Sequence, residues 1–221
     1  CKCLQYGHDY VDQSAGKLWT WQPQKTTAAW LAAEYELPKP SLLGRHQIVN
    51  AAGVVAVLKL LGPQMAVSRR DLMEGLRAQS IRGRLEIYRG RPEVIVDVGH
   101  NVSAADRLVE FLEEQPTVGR TLGVFSMLRD KSIAAVVERL RGKIGYWHIA
   151  ELHEDRALPR VELEKFILAG ATRSVRSWGS PREAFYGARE DAQPSDRIVV
   201  FGSAYLAGAI LQILDHESTQ A

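Results

Sequence analysis

The chain has 221 residues, 46% of them hydrophobic and 24% charged, which is enough for one large domain or for one domain and part of another. Its 28 basic residues are interspersed with 26 acidic ones, giving a formal charge of +2, and the longest basic cluster is Arg69-Arg70, so nothing points to nucleic-acid binding. No apolar run approaches the ~18 residues of a membrane span, and no signal peptide stands out, so no membrane association and a cytoplasmic location are expected. The only cysteines, Cys1 and Cys3, lack a second pair to complete a zinc site, so no metal ligands are expected in this chain.

Residues 1 to about 30 read as short and irregular, except that the alternation Leu18-Trp19-Thr20-Trp21 predicts a strand or hairpin edge. Residues 31 to 45, which include LPKPSLLGR, read as an extended connector. From about Gln47, Ile48, Ala51, Ala52, Val55 and Leu58 recur at helical spacing, and Gly62-Pro63 stops that helix. Ser68, with Asp71 three residues on, predicts a capping box for a second helix faced by Leu72, Met73 and Leu76. A hairpin follows, with strands at 84–89 and 93–98 around a turn at Gly90 to Pro92.

Helices and apolar strands then alternate. A helix runs through Ala104, Leu108, Phe111 and Leu112, then comes the strand TLGVFSM. A helix through Ile133, Val136, Val137 and Leu140 precedes the strand YWHIAEL. A helix around Leu163, Phe166 and Ile167 precedes a weaker strand near TRSVRSW. Ser180 and Glu183 predict a capping box with Pro181 at the first helical position of another helix, and DRIVVFGS and AYLAGAILQIL supply the last strand and helix. This alternation predicts crossover units and a doubly wound, Rossmann-like α/β domain over residues 81–221. Its sheet of five to six strands is mostly parallel with one antiparallel edge strand, and helices cover both faces. Residues 1–80 read as the end of a different domain.

Ligands of open α/β sheets sit beyond the carboxyl ends of the strands. That rule selects Asp97-Val98-Gly99-His100-Asn101, Ser126 to Lys131, and Gly202-Ser203, each between a strand and a helix whose N-terminus suits an anion. Each segment also has a plain structural reading: Asp97 as a loop acceptor, Ser103 and Ser203 as helix caps, His100 as a structural histidine, Arg129 to Ser132 as a solvated loop. No G-x-G-x-x-G and no phosphate loop occurs in the sequence.

LLGRHQIVNAAGVVAVL, IRGRLEIY and VIVDVGHNVSAA, taken in order, resemble the folylpolyglutamate synthase/dihydrofolate synthase family of the Mur ligase superfamily. The family pattern runs G-x-H-Q-x-x-N-A, P-G-R-x-E, D-x-A-H-N-P-x-A, a loop ending D-K-D, and a late strand ending G-S. The match extends from Gly44 to Ser203. The resemblance implies that residues 1–80 are the end of a central ATP-binding domain and that 81–221 are the C-terminal domain. The phosphate loop and Mg²⁺ ligands would belong to an N-terminal part that this chain lacks.

The resemblance further implies that Asn50 lies against adenine and that Arg84 contacts ATP ribose or phosphate oxygens. It gives Asp97 a ribose or interdomain nucleotide role and catalytic standing, places His100 near the incoming glutamate as a catalytic and substrate-binding residue, and makes Ser203 a contact for a glutamate carboxylate. An amide matches a purine edge and a guanidinium matches phosphate, so the residue types suit these tasks. The implied reaction uses ATP to phosphorylate a dihydropteroate or folate carboxylate, and the amine of L-glutamate then attacks the acyl phosphate. A monomer is expected, and the fragment by itself is expected to be inactive.

Four positions depart from the pattern: Gly99 stands for Ala, Val102 for Pro, Ser132 for the second acid of D-K-D, and Arg82 for the Pro of P-G-R. Two other readings remain open, a Mur-type ligase acting on another carboxylate and a non-catalytic binding domain that retains the fold.

Overall fold

The computed structural model describes residues 3–24, 34–62, 67–170 and 174–220. The chain divides into two compact units, Cys1–Ile81 and Arg82–Ala221. Cys1, Pro63 and the first residues of TRSVRSW lie outside the described residues.

The first unit holds strands β1 (Tyr10–Ala15), β2 (Leu18–Pro23) and β3 (Tyr35–Pro38) and helices α1 (Arg45–Leu61) and α2 (Arg69–Ala78). The three strands form an antiparallel meander. Part of the expected connector is therefore a strand. Tyr35 to Pro38 pair with Leu18 to Trp21, and Pro38 ends the strand where a donor would otherwise be needed. Trp19 and Trp21 are fully buried, and their indole N–H groups donate to the carbonyls of Pro38 (2.9 Å) and Ala52 (3.1 Å). The meander is thereby fastened to α1, whose Ile48, Ala51, Ala52 and Val55 complete the same core. Gly62, at positive φ, closes α1 by donating to the Leu58 and Lys59 carbonyls. The capping box of Ser68 and Asp71 is complete in both directions.

The second unit holds β4 (Glu86–Tyr88), β5 (Glu93–Val96), α3 (Val102–Glu114), β6 (Thr121–Phe125), α4 (Ile133–Leu140), β7 (Tyr146–Ala150), α5 (Arg160–Leu168), β8 (Ser174–Trp178), α6 (Pro181–Asp191), β9 (Arg197–Phe201) and α7 (Ala204–Gln220). The six strands lie in the order β4-β5-β9-β6-β7-β8, and only the β4–β5 pair is antiparallel. Side chains alternate across the sheet. Ile95, Phe125, Trp147, Val199 and Phe201 face α3, α4 and α5, whereas Val94, Val124, Ile198 and Val200 face α6 and α7. The expected α/β architecture, one antiparallel edge strand and helices on both faces, is what forms.

Two caps differ from expectation. Asn101, not Ser103, caps α3 by accepting from Ala104 N at 2.9 Å, while the Ser103 hydroxyl accepts from Arg107 at 2.7 Å. Ser180 caps α6, but the Glu183 carboxylate takes the N–H of Gly179 in place of that of Ser180. Asn101→Ala is expected to cost about 1 kcal/mol of stability, and Ser103→Ala less than about 0.5 kcal/mol, as read from urea unfolding midpoints.

Candidate functional site at the carboxyl edge of the sheet

β9 pairs with β5 on one side and with β6 on the other, so the ends of these three strands are neighbours. Segments 97–101, 202–203 and 126–131 therefore emerge along one edge. β5 and β6 continue into α3 and α4 on one face, while β9 continues into α7 on the other. Loops that leave adjacent strands for opposite faces open the crevice at which such sheets bind ligands.

Asp97 sits at this point and is buried. Its Oδ2 accepts from Leu85 N at 3.0 Å and its Oδ1 from Gly99 N at 2.7 Å. Burial raises the carboxyl above its ordinary value, while the two N–H donors and the charges of Arg84 and Arg107 pull it back. Leu85, which it holds, has φ 47 and is the only non-glycine residue at positive φ among those described. Such a backbone costs on the order of 1–2 kcal/mol. Nothing in a leucine side chain signals this conformation, so sequence reasoning passes over it.

Arg84 lies between Leu85 and Gly83, itself at φ 67, and is half-buried. Among the described residues its guanidinium has no hydrogen-bond or ion-pair partner. Arg82, at the family's proline position, is by contrast engaged with both carboxylate oxygens of Glu86 and with Asp215 of α7 at 2.9 and 3.0 Å. His100 is half-buried, and its imidazole likewise has no partner among the described residues.

Ser203 is buried at the start of α7, and its Oγ accepts from Tyr205 N at 3.2 Å, which leaves the hydroxyl proton free to donate. Ser126, directly across from Gly202, is fully buried, and its hydroxyl has no partner among the described residues. Asp130 is paired with Lys131 at 2.9 Å and Arg156 at 2.7 Å, and these two cations, Lys131 first, hold its carboxyl down at about 2. Lys131 is thereby engaged within its own loop, and Ser132 makes no side-chain cap to α4. The structure thus brings Asp97, His100 and Ser203 to one edge, with Arg84 held beside Asp97 through Leu85.

Asn50 belongs to the first unit, where it is exposed on α1 and donates to the Gln47 amide oxygen at 3.2 Å. No three His, Cys, Asp or Glu side chains among the described residues are grouped so as to hold a metal ion. A cavity of the second unit, about 970 Å³, opens at the opposite, amino-terminal edge of the sheet. Its cations are engaged with carboxylates, Arg120 with Asp196, Arg197 with Glu93, Lys143 with Glu113 and Arg141 with Glu138, although Arg141 Nε has no hydrogen-bond partner among the described residues.

Comparison with known proteins bears on this edge. The family described as "Mur ligase, glutamate ligase domain" matches residues 83–204. The dihydrofolate synthase/folylpolyglutamate synthase of Escherichia coli is 31% identical over 166 residues, which cover 75% of this chain and 38% of the relative. Among solved structures, E. coli FolC in complex with DHPP and ADP superposes with a TM-score of 0.81 at 26% identity, over 96% of this chain and 47% of that one. A bifunctional folylpolyglutamate synthase/dihydrofolate synthase with Mn, AMPPNP and L-glutamate bound gives 0.79 at 27% identity, over 94% and 47%. The chain thus spans about two fifths to one half of the length of these proteins. With the family's pattern running from the Gly83 loop through the Asp97 and His100 segment to the start of α7, the chain belongs to the Mur ligases and carries their glutamate ligase domain.

Proposed function

We propose that this chain is the C-terminal part of an ATP-dependent ligase that joins L-glutamate to the carboxylate of dihydropteroate or a folate through an acyl phosphate. Residues 1–80 would be the end of its central, ATP-binding domain and 81–221 its glutamate ligase domain. The observation that carries the reading is that two half-buried groups without a hydrogen-bond partner among the described residues, Arg84 and His100, flank Asp97 at the carboxyl edge of the sheet. A half-buried guanidinium with no hydrogen-bond partner among the described residues suits an anionic ligand. The protein would work as a monomer in the cytoplasm; among the described residues no helix is long and apolar enough to cross a membrane.

Arg84 suits a phosphate or ribose oxygen of ATP, and the exposed amide of Asn50 suits the adenine edge. The Ser203 hydroxyl and the free N–H groups of α7 suit a carboxylate of glutamate. His100 would lie near the incoming glutamate, where an imidazole suits taking the proton of the amino group as nitrogen attacks the acyl carbon and phosphate departs. Mg²⁺ would neutralise the transferred phosphoryl group, but the described residues offer no ligand set for it, so no step here depends on this chain binding metal.

The test is the complete open reading frame that encodes residues 1–221, assayed for ADP formation that requires both dihydropteroate or a folate and L-glutamate. His100→Ala is expected to lower the rate ~100-fold with the fold intact. Rates equal to wild type in that variant would remove His100 from the site. Turnover with another amino acid or another carboxylate, and none with these substrates, would replace the folate reading by a different ligase. No ligation with any partner would leave a binding domain.

A further inference from the structure

Arg82 stands where the pattern this sequence otherwise follows has proline, and no step of the reaction proposed above uses it. Its Nε donates to the Glu86 carboxylate, 2.9 and 3.1 Å from the two oxygens, and its Nη2 lies 2.9 and 3.0 Å from those of Asp215. The Tyr88 hydroxyl accepts from Nη2 at 3.0 Å and donates to Glu86 Oε1 at 2.9 Å. Glu86 Oε2 also takes the N–H of Gly83 at 2.9 Å. The network therefore begins on the backbone next to Arg84 and ends on α7.

α7 meets the same loop along one row of its surface. Ala207, Leu211 and Asp215 recur every four residues and so lie on one ridge of the helix. Gly83 faces the first two: a Cβ there would lie 3.7 Å from Ala207 Cβ and 3.8 Å from Leu211 Cδ1. Arg82 holds the third. Four residues before Ala207 the same spacing reaches Ser203, where the helix starts. Leu206, Ala207, Ile210 and Leu211 are buried in the core under the sheet, so α7 is the fixed partner and the loop is what it holds. Arg82 and Asp215 are each half exposed, where an ion pair adds little to stability. What two carboxylates on one guanidinium do fix is direction.

We infer that Arg82 is a positioning residue: through Glu86 and Asp215 it straps the Gly83–Leu85 loop to α7, and so sets the Arg84 guanidinium relative to the helix that starts at Ser203. Its effect on the reaction runs through Arg84. A proline at position 82 would have no group with which to make the strap. This deepens the ATP-ligase reading and rests on it for the ligand of Arg84, whereas the strap is a property of the protein alone and is testable without any ligand.

Hydrogen exchange on the complete protein without ligand, read by mass spectrometry in peptides spanning residues 82–88, is the first measurement. Arg82→Ala and Asp215→Ala should each speed exchange there at least ~10-fold, and the double variant no further. Peptides from β7 should keep wild-type rates, which shows that the variants are folded. Wild-type exchange at 82–88 in either single variant would overturn the strap.

The second measurement is steady-state turnover of the complete protein. Arg82→Ala should raise KM for ATP about three- to fivefold, with kcat and KM for L-glutamate within about twofold of wild type. In an Arg84→Ala background the same change should move KM for ATP less than about 1.5-fold. An equal rise in both backgrounds, or a fall in kcat in place of the rise in KM, would show that Arg82 does not act through Arg84, and the inference fails. A wild-type protein that turns over no ATP would sink the ligase reading, while the exchange rates would still decide the strap.

Discussion

Gly202→Ala is expected to destabilise the second unit by at least about 3 kcal/mol. Gly202 has φ 104, and a Cβ there would lie 2.4 Å from the Ser126 carbonyl oxygen and 2.7 Å from the Phe125 ring. Neither neighbour can retreat. Ser126 and Phe125 are fully buried at the end of a strand paired on both sides, and Phe125 packs on Phe201 with ring centroids 4.9 Å apart. The close approach of the two strands is what brings Ser126 and Ser203 to one edge of the sheet. Gly208, within α7, makes the contrast. Nothing lies within 4 Å of a Cβ there, and Gly208→Ala should stabilise by about 0.5–1 kcal/mol through its helix propensity. Urea midpoints at constant slope would show both changes, in opposite directions. An unchanged midpoint for Gly202→Ala would mean that the strand ends are looser than described.

A second large effect is expected from His148, which lies on β7, is 1% exposed, and is stacked on Trp178 at 6.0 Å. The Trp178 indole N–H donates to Nδ1 at 3.2 Å, so that nitrogen carries no proton, and Nε2–H is directed at Asp191 Oδ2, 3.5 Å away. Burial pushes the imidazole down to about 4 from 6.5, the Asp191 carboxylate opposes that, and Arg176, which pairs with Asp191, adds to it. Between those two values the unfolded chain binds the proton and the folded chain does not. The stabilisation is therefore fully present above pH ~6.5 and is lost as the pH falls toward ~4, a change of about 3 kcal/mol.

His148→Phe keeps the ring stack and removes the titration. Its stability should be lower at neutral pH by about 1 kcal/mol, for the indole donor left unmet, and should lack most of the decline between pH 6.5 and 4. Asp130, held at about 2, titrates below this window. Asp97, raised by burial, gains stability as it protonates on acidification, the opposite sign, so the difference between the two proteins isolates His148. Parallel profiles for wild type and variant would refute the assignment.

Element type and order follow from local rules that need no partner. Period-two and period-3.6 patterns, Ser68 with Asp71, Ser180 with Pro181 and the Gly62 stop each place a helix or strand where it forms. They act over one or two turns of chain, so one sequence is enough to read them. The same reading errs where two local solutions compete. Asn101 and Ser103 are both good caps, and the Arg107 side chain that engages Ser103 is part of what leaves the role to Asn101. Tyr35 to Pro38 look like a connector because a short strand bounded by proline carries little pattern; pairing with β2 makes it a strand.

The residues of the candidate site, Arg84, Asp97, His100 and Ser203, stand out in the sequence because three of them follow strong strands of an α/β pattern and because their order resembles a known pattern. Their juxtaposition comes only from the fold. β9, the last strand in the chain, enters the sheet between β5 and β6, and no local signal specifies that insertion. The backbone partners of the Asp97 carboxylate are likewise tertiary. A sequence shows an acid near a glycine, but which N–H groups that acid holds depends on Leu85, twelve residues earlier, and on the missing Cβ at Gly99. Periodicity and capping are encoded within a few residues, so the sequence by itself determined the elements and their fold class. Strand insertion, burial and left-handed strain arise between residues far apart in the chain, and only the tertiary structure decided them.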